Sequence, residues 1–133
     1  MQRTAKCLCG QLQITTEGEP FRVFACSCTE CQRSTGAVLA TNTYFSNKKI
    51  LSKTGTAKTF EMTRDSGRKV TLYFCPECGS TVYLEAEFMP GHTGIPVGTF
   101  NDPQFPEPVL SAFNRNKVPW INLPETWKHF ETQ

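Results

Sequence analysis

The sequence predicts a mainly β domain with little helix, and three observations carry that prediction. Short runs in which apolar and polar residues alternate recur between clusters of Gly, Pro, Asp and Thr. Helical periodicity is scarce, with one short stretch that fits it. Pairs of cysteines adjoin strand-like runs, where a hairpin turn brings both sulfurs to one side.

The strand candidates follow in order. "QLQITT" after Gly10 alternates, and further strands are expected over 21–25 (FRVFA), 38–45 (VLATNTYF), 57–63 (AKTFEMT), 69–74 (KVTLYF), 80–88 (STVYLEAEF) and 109–114 (VLSAFN). Breaks between them fall at EGEP, KTGT, RDSG and NDPQFPEP, each rich in residues that favour turns. The exception is TECQRSTG, where Thr29 is a candidate N-cap and Gly36 a stop for one or two helical turns. No repeat, low-complexity tract or linker interrupts the 133 residues, so one domain spanning 1–133 is expected.

Composition narrows the class. Hydrophobic residues make up 38% and charged residues 20%, as in an ordinary globular domain that buries its own core. Fourteen basic and twelve acidic residues leave a net charge of +2, too weak a field to gather a polyanion, so nucleic acid is not an expected partner. No stretch approaches the roughly 20 apolar residues that span a bilayer, and "MQRTAKCLCGQLQI" lacks the apolar core of a secretion signal. The expectation is a cytoplasmic protein without a membrane partner.

Seven cysteines carry the functional signal. The number is odd, so disulfides leave a thiol over, and a reducing cytoplasm would not keep the bridges. They fall in three clusters: CLCG (Cys7, Cys9), CSCTEC (Cys26, Cys28, Cys31) and CPECG (Cys75, Cys78). In the last, Pro76 restricts the turn and Gly79 is free to take positive φ, as in a metal-binding knuckle. A CxxC can instead be a thioredoxin-like redox pair, but that motif opens a helix, and here strand-like runs flank it. CLCG, with Gly10 after its second thiol, reads as the other half of a tetrahedron.

Pairing the first and last clusters gives a closed site with four thiolates, suited to structure. CSCTEC then holds three, and three protein ligands leave a position for water or substrate, as in catalytic zinc sites. Zinc with four thiolates carries formal charge −2 and is a poor Lewis acid, whereas three leave −1 and a replaceable ligand. A thiol in that position would be held as the nucleophilic thiolate. Other readings stay open on spacing alone. The cysteines can divide sequentially, as Cys7, Cys9, Cys26 and Cys28 against Cys31, Cys75 and Cys78. His92 or His129 can close the second site, iron suits four thiolates as zinc does, and an unmetallated CSCTEC can cycle through a disulfide.

The order CxCG, then CxCxxC, Gly36 five residues beyond, DSG at 65–67 and YFCPECGS resembles the glutathione-dependent formaldehyde-activating enzyme family. VGTFNDP (97–103), FPEP (105–108) and NKVPWINL (116–123) extend the resemblance over nearly the whole chain. It implies a Mss4-like fold of small antiparallel sheets with two zinc ions per chain, the second site partly occupied in some states. Cys7, Cys9, Cys75 and Cys78 would be structural ligands, and Cys26, Cys28 and Cys31 the open catalytic site. The implied reaction is carbon-sulfur lyase chemistry, in which a glutathione-like thiol adds to formaldehyde to give S-hydroxymethylglutathione. The implied partners are that thiol and a small aldehyde.

The chain departs from the family pattern at three places: Ser27 stands where members commonly have His, Gln32 where they have Arg, and Ser111 where His is frequent. Ser27 and Arg33, one position beyond Gln32, are the candidate substrate contacts. Trp120 is expected in the core or in a pocket wall. The alternative function is a zinc-stabilised module that binds a thiol, peptide or protein partner without turnover, since fold does not fix function.

Overall fold

The computed structural model describes residues 1–64 and 66–132. Asp65, in the expected RDSG break and the DSG motif, lies outside the described residues. In chain order the strands are β1 (Gln2–Lys6), β2 (Gln13–Glu17), β3 (Arg22–Cys26), β4 (Ala40–Ser46), β5 (Ile50–Thr54), β6 (Lys58–Thr63), β7 (Lys69–Phe74), β8 (Thr81–Ala86), β9 (His92–Pro96), β10 (Leu110–Ala112) and β11 (Lys128–His129). The single α-helix among the described residues, α1 (Thr29–Thr35), stands between β3 and β4. With 42% strand and 13% helix, the latter counting the short 3-10 turns at Asn47–Lys49, Val97–Phe100 and Asn114–Asn116, the protein is mainly β. Residues cluster into two compact units, one of Met1–Phe21 with Thr43–Phe105 and one of Arg22–Asn42 with Pro106–Gln133.

In the first unit β1 and β2 form an antiparallel hairpin, and β5 pairs with the other edge of β2. Alternation puts Ala5 on β1 opposite Ile14 on β2, both fully buried. A second set of strands runs in the order β4, β9, β8, β7, β6. Its buried residues, Tyr44, Phe45, Val82 and Ile95, are the bulk of the core with Leu12 and Ile14. Gly94 on β9 is required by this packing: a Cβ there would lie 2.7 Å from Leu84 Cδ1 and 2.8 Å from Tyr44 Cε1. Phe100 and Phe105 stack at 4.8 Å, and the Arg3 guanidinium lies 5.0 Å from the Phe105 ring centre.

The second unit departs from the antiparallel expectation. β10 pairs in parallel with β3, setting Ser111 beside Ala25 and Ala112 beside Cys26, and in parallel with β11, setting Ser111 beside His129. Parallel pairing needs a long connection, and here the partners are far apart in the chain. Helix α1 ends at Gly36 as expected, but its N-cap is Cys28 rather than Thr29, because the Cys28 sulfur accepts the Cys31 N–H at 3.2 Å. Trp120 is a second correction: it is 70% exposed and so stands outside the core. It follows Pro119 in a stretch without regular strand or helix, so no ladder turns its side chain inward. No helix among the described residues is long and apolar enough to cross a membrane.

Candidate metal centres

The cysteines gather as four and three, not sequentially. The sulfurs of Cys7, Cys9, Cys75 and Cys78 lie within 4.8 Å of one another, and so do those of Cys26, Cys28 and Cys31. All seven are free thiols.

The four-sulfur centre is built from two similar turns in the first unit. In one, the Cys7 N–H donates to Leu12 O and the Gly10 N–H to Cys7 O, both at 3.0 Å. In the other, the Cys75 N–H donates to Ser80 O at 2.9 Å and the Gly79 N–H to Cys75 O at 2.8 Å. Gly10 and Gly79 take φ of 85° and 80°, the left-handed conformation that lets each chain reverse behind its second cysteine. The turns thus face two sulfur pairs at each other. Cys7 Sγ and Cys9 Sγ are 3.6 Å apart, and Cys9 Sγ and Cys75 Sγ 3.7 Å. An ion bonded at about 2.3 Å to sulfurs at the corners of a tetrahedron sets them about 3.8 Å apart, whereas a disulfide needs about 2.05 Å. The spacing fits a tetrahedral ion.

Hydrogen-bond donors converge on these sulfurs. The Leu12 N–H donates to Cys7 Sγ at 3.3 Å, the Glu77 N–H to Cys75 Sγ at 3.4 Å and Gln11 Nε2 to Cys75 Sγ at 2.9 Å. Ser80 Oγ accepts the Leu8 N–H at 3.1 Å and lies 3.3 Å from Cys78 Sγ, so one hydroxyl ties both turns. That donor pulls the Cys78 thiol down to about 5. Burial opposes ionisation of Cys75, but the Gln11 side chain and the N–H groups of Cys78 and Glu77 outweigh it and lower its pKa. At Cys9 the Gln11 backbone pulls downward, and burial with three thiol neighbours wins, pushing it up to about 12. Four thiols in mutual contact cannot all ionise unaided; a divalent cation removes that conflict. Gln11 and Ser80 were not singled out in the sequence, although each directly follows the glycine of its turn.

The three-sulfur centre belongs to the second unit. Cys26 ends β3, and Cys28 and Cys31 stand three residues apart at the start of α1, a spacing that puts both on one helix face. The Cys28 N–H donates to Cys26 Sγ at 3.4 Å. Cys26 and Cys28 are buried and Cys31 is half-buried, and the three pack with Ala112, Phe24 and Phe113. The Cys28 sulfur beside it is the main cause that pushes the Cys26 thiol up to about 11. Cys31 is raised further, by Cys26 first and then by Cys28 and burial. Among the described residues no histidine or carboxylate joins this group.

Ser27 and Gln32 occupy defined places around the trio. The Ser27 N–H donates to Ala112 O at 3.1 Å, and its carbonyl accepts Gln32 Nε2 at 2.7 Å. The same Nε2 donates to Asn116 O at 3.2 Å, so Gln32 clasps α1 to two turns. Ser27 is 0% exposed, and its hydroxyl is buried without a hydrogen-bond partner. Such an orphan is costly unless something polar belongs beside it, and its place between two cysteines fits an ion and its ligands. Arg33 is exposed in the last turn of α1.

Neither histidine serves as a fourth ligand. Ser111 Oγ bonds to His129 Nδ1 at 2.8 Å, and His129 Nε2 to Pro124 O at 3.0 Å. Of the two neutral tautomers, Nε2–H is the one that satisfies both bonds: the ring donates to the Pro124 carbonyl and accepts the Ser111 hydroxyl. His92 Nδ1 bonds to Pro90 O at 3.0 Å and its ring packs on Phe21 at 4.9 Å.

The fold resembles that of a solved Rhodobacter sphaeroides protein, with a TM-score of 0.58 and 14% identity, over 96% of this chain and 98% of that one. Comparison with the curated proteins found no match. The family model described as glutathione-dependent formaldehyde-activating enzyme matches residues 2–116, a span that contains all seven cysteines. That family carries a formaldehyde-activating, glutathione-related role, and both sulfur groups could hold metal ions. The chain belongs to the glutathione-dependent formaldehyde-activating enzyme family.

Proposed function

We propose that this chain is a zinc-dependent carbon-sulfur lyase or synthase, joining a glutathione-like thiol to formaldehyde or another small aldehyde. Cys7, Cys9, Cys75 and Cys78 would hold a structural zinc, and Cys26, Cys28 and Cys31 a catalytic one. The observation that carries the reading is the difference in ligand number: four sulfurs complete a tetrahedron and three do not. Zinc bound by three thiolates keeps a thiol ionised at neutral pH or polarises a carbonyl oxygen. In the reaction the thiol sulfur bonds to the carbonyl carbon, the C=O π bond opens, and the thiol proton ends on the new hydroxyl. Cleavage reverses each change.

The chain's own residues bind and orient. Cys26 and Cys28 are buried, so substrate would approach from the side of half-buried Cys31. Arg33, on the same helix, is the candidate contact for a substrate carboxylate, and the Ser27 hydroxyl is a donor without a protein acceptor. Gln32 fixes the trio's frame through Ser27 O and Asn116 O. The addition of thiols to formaldehyde is intrinsically easy, so bringing the two together would supply most of the advantage. The Mss4-like fold, a cytoplasmic setting and action of residues 1–133 as one module belong to the same proposal; the family match runs through segments of both compact units.

One observation favours the non-catalytic alternative. Where relatives are expected to offer imidazole and guanidinium, this chain has a fully buried Ser27 and a Gln32 committed to two carbonyls. Magnetisation exchange between free thiol and adduct, followed by NMR for glutathione and other thiols with a set of aldehydes, separates the readings. Acceleration that Cys28→Ser abolishes while the protein stays folded supports the enzyme. No acceleration with any pair leaves the binding module.

A further inference from the structure

Phe113 holds a backbone conformation that a bulky side chain rarely adopts. Its φ is 56° and ψ 40°, the left-handed region, which here it shares only with Asn101 among described residues other than glycine. The conformation is held from several sides. The Phe113 N–H donates to Thr132 O at 2.7 Å, its carbonyl accepts the Asn116 N–H at 3.0 Å, and the next N–H, on Asn114, donates to Phe130 O at 3.0 Å. A glycine would meet this requirement without strain, so what phenylalanine adds is its ring. Phe113 packs against the buried cluster formed by Cys26, Cys28 and Ala112. Within this cluster Cys26, Cys28 and Ala112 are buried, while Cys31, Phe24 and Phe113 are partly exposed. The partly exposed members of the cluster are therefore one thiol and two aromatic side chains.

We propose that Phe113 is a specificity-determining residue: its ring, fixed by the left-handed backbone, walls the approach to Cys31 with Phe24 and restricts the carbonyl partner to small, uncharged aldehydes. The inference rests on the reading of the trio as a reaction site and adds the residue that sets the size and charge of the aldehyde admitted. An apolar wall admits formaldehyde, while a bulky substituent meets the ring and a carboxylate would be stripped of water beside it. Phe24 lies on β3, where pairing with β10 sets it beside Leu110, and so its backbone has little freedom to retreat.

Two measurements on the purified protein test this. The first needs no turnover: Cys31 is alkylated with N-ethylmaleimide and with the larger N-phenylmaleimide, and the two rates are read by peptide mass mapping. In Phe113→Gly, which relieves the backbone, the ratio of large-reagent to small-reagent rate rises at least roughly tenfold, the scale of steric discrimination in an apolar pocket. Phe113→Leu, a milder truncation, raises it less. An unchanged ratio in both variants overturns the proposal. The second measurement compares adduct formation from glutathione with formaldehyde and with benzaldehyde, and the preference for formaldehyde narrows in Phe113→Gly. If no form turns over any pair, the enzymatic reading fails, and the Cys31 ratio still decides whether Phe113 guards the trio.

Discussion

Gly55→Ala is a sharp test of how the four-sulfur centre is supported. A Cβ at Gly55 would lie 1.9 Å from the Gln11 carbonyl oxygen, 2.7 Å from its carbonyl carbon and 2.8 Å from its side-chain Oε1. The obstacle is backbone, so the chain must move by more than an ångström. Gln11 holds Thr56 by two bonds, Nε2 to Thr56 O at 2.7 Å and Oε1 from the Thr56 N–H at 2.8 Å, besides its 2.9 Å bond to Cys75 Sγ. Loss of these bonds costs about 2–3 kcal/mol at about 1 kcal/mol each, and the φ of +92° adds about 1 kcal/mol for any side chain. The total is about 3–4 kcal/mol. With an unfolding entropy of about 2.1 cal/mol/K per residue, 1 kcal/mol is worth about 3.5 °C in this chain, so Tm falls by about 10–14 °C. Gly91→Ala is the control: its φ is +76° but nothing lies within 4 Å of the added Cβ, so only the conformational cost of about 1 kcal/mol, about 4 °C, remains. Thermal unfolding of both zinc-loaded variants, followed by circular dichroism, measures the difference. Equal Tm losses would refute the claim that Gly55 is held against Gln11.

Further expectations follow from the same contacts. Gln11→Ala removes the donor to Cys75, and zinc affinity at the four-sulfur centre, read by competition with a chromogenic chelator, falls about 10–100-fold. Gln32→Ala unclasps α1 from Ser27 O and Asn116 O and lowers stability by about 1–3 kcal/mol in urea unfolding, leaving the four-sulfur centre's zinc affinity unchanged. The Tyr73 hydroxyl donates to Glu85, which pushes its ionisation up to about 12 from an ordinary 10. Because the folded value is the higher one, this contribution is full below pH 10 and is lost as pH rises toward 12. Ultraviolet titration of tyrosinate should find that step, and Glu85→Gln should return it toward 10.

What the sequence made legible was local. Cysteine spacing and a following glycine mark a knuckle within a few residues, so the clusters and the turns at Gly10 and Gly79 could be read directly. The strands at 69–74 and 81–86 carry strong β formers, and their partners are neighbours in sequence. Other elements escaped because their reason is remote. β1, QRTAK, has one apolar residue, Ala5, and is a strand because β2 supplies Ile14 opposite it. β9, HTGIP, has the composition of a turn, yet Gly94 is there because Leu84 and Tyr44 leave no room for a side chain. β10 and β11 pair in parallel across distant segments, which no local pattern announces.

The same division holds at the candidate site. All seven sulfurs were named from spacing and family resemblance, whereas the side chains that support them were not. Gln11 bonds to a cysteine 64 positions away in the chain, Cys75, and Ser80 joins its neighbour Cys78 to the Leu8 N–H 72 positions away. Gln32 reads in sequence as a lost cation and in the structure as a clasp. Phe113 reads as one more strand residue, and only its left-handed backbone and its packing on the trio set it apart.

The central claim is that two ions share seven sulfurs unequally. Anomalous diffraction from crystals of the zinc-loaded protein, collected on both sides of the zinc absorption edge, addresses it directly. The account predicts two peaks, one ringed by Cys7, Cys9, Cys75 and Cys78 and one bound by Cys26, Cys28 and Cys31 with a non-protein atom completing it. A lone peak at the first group, with the three remaining thiols metal-free or cross-linked, would contradict it.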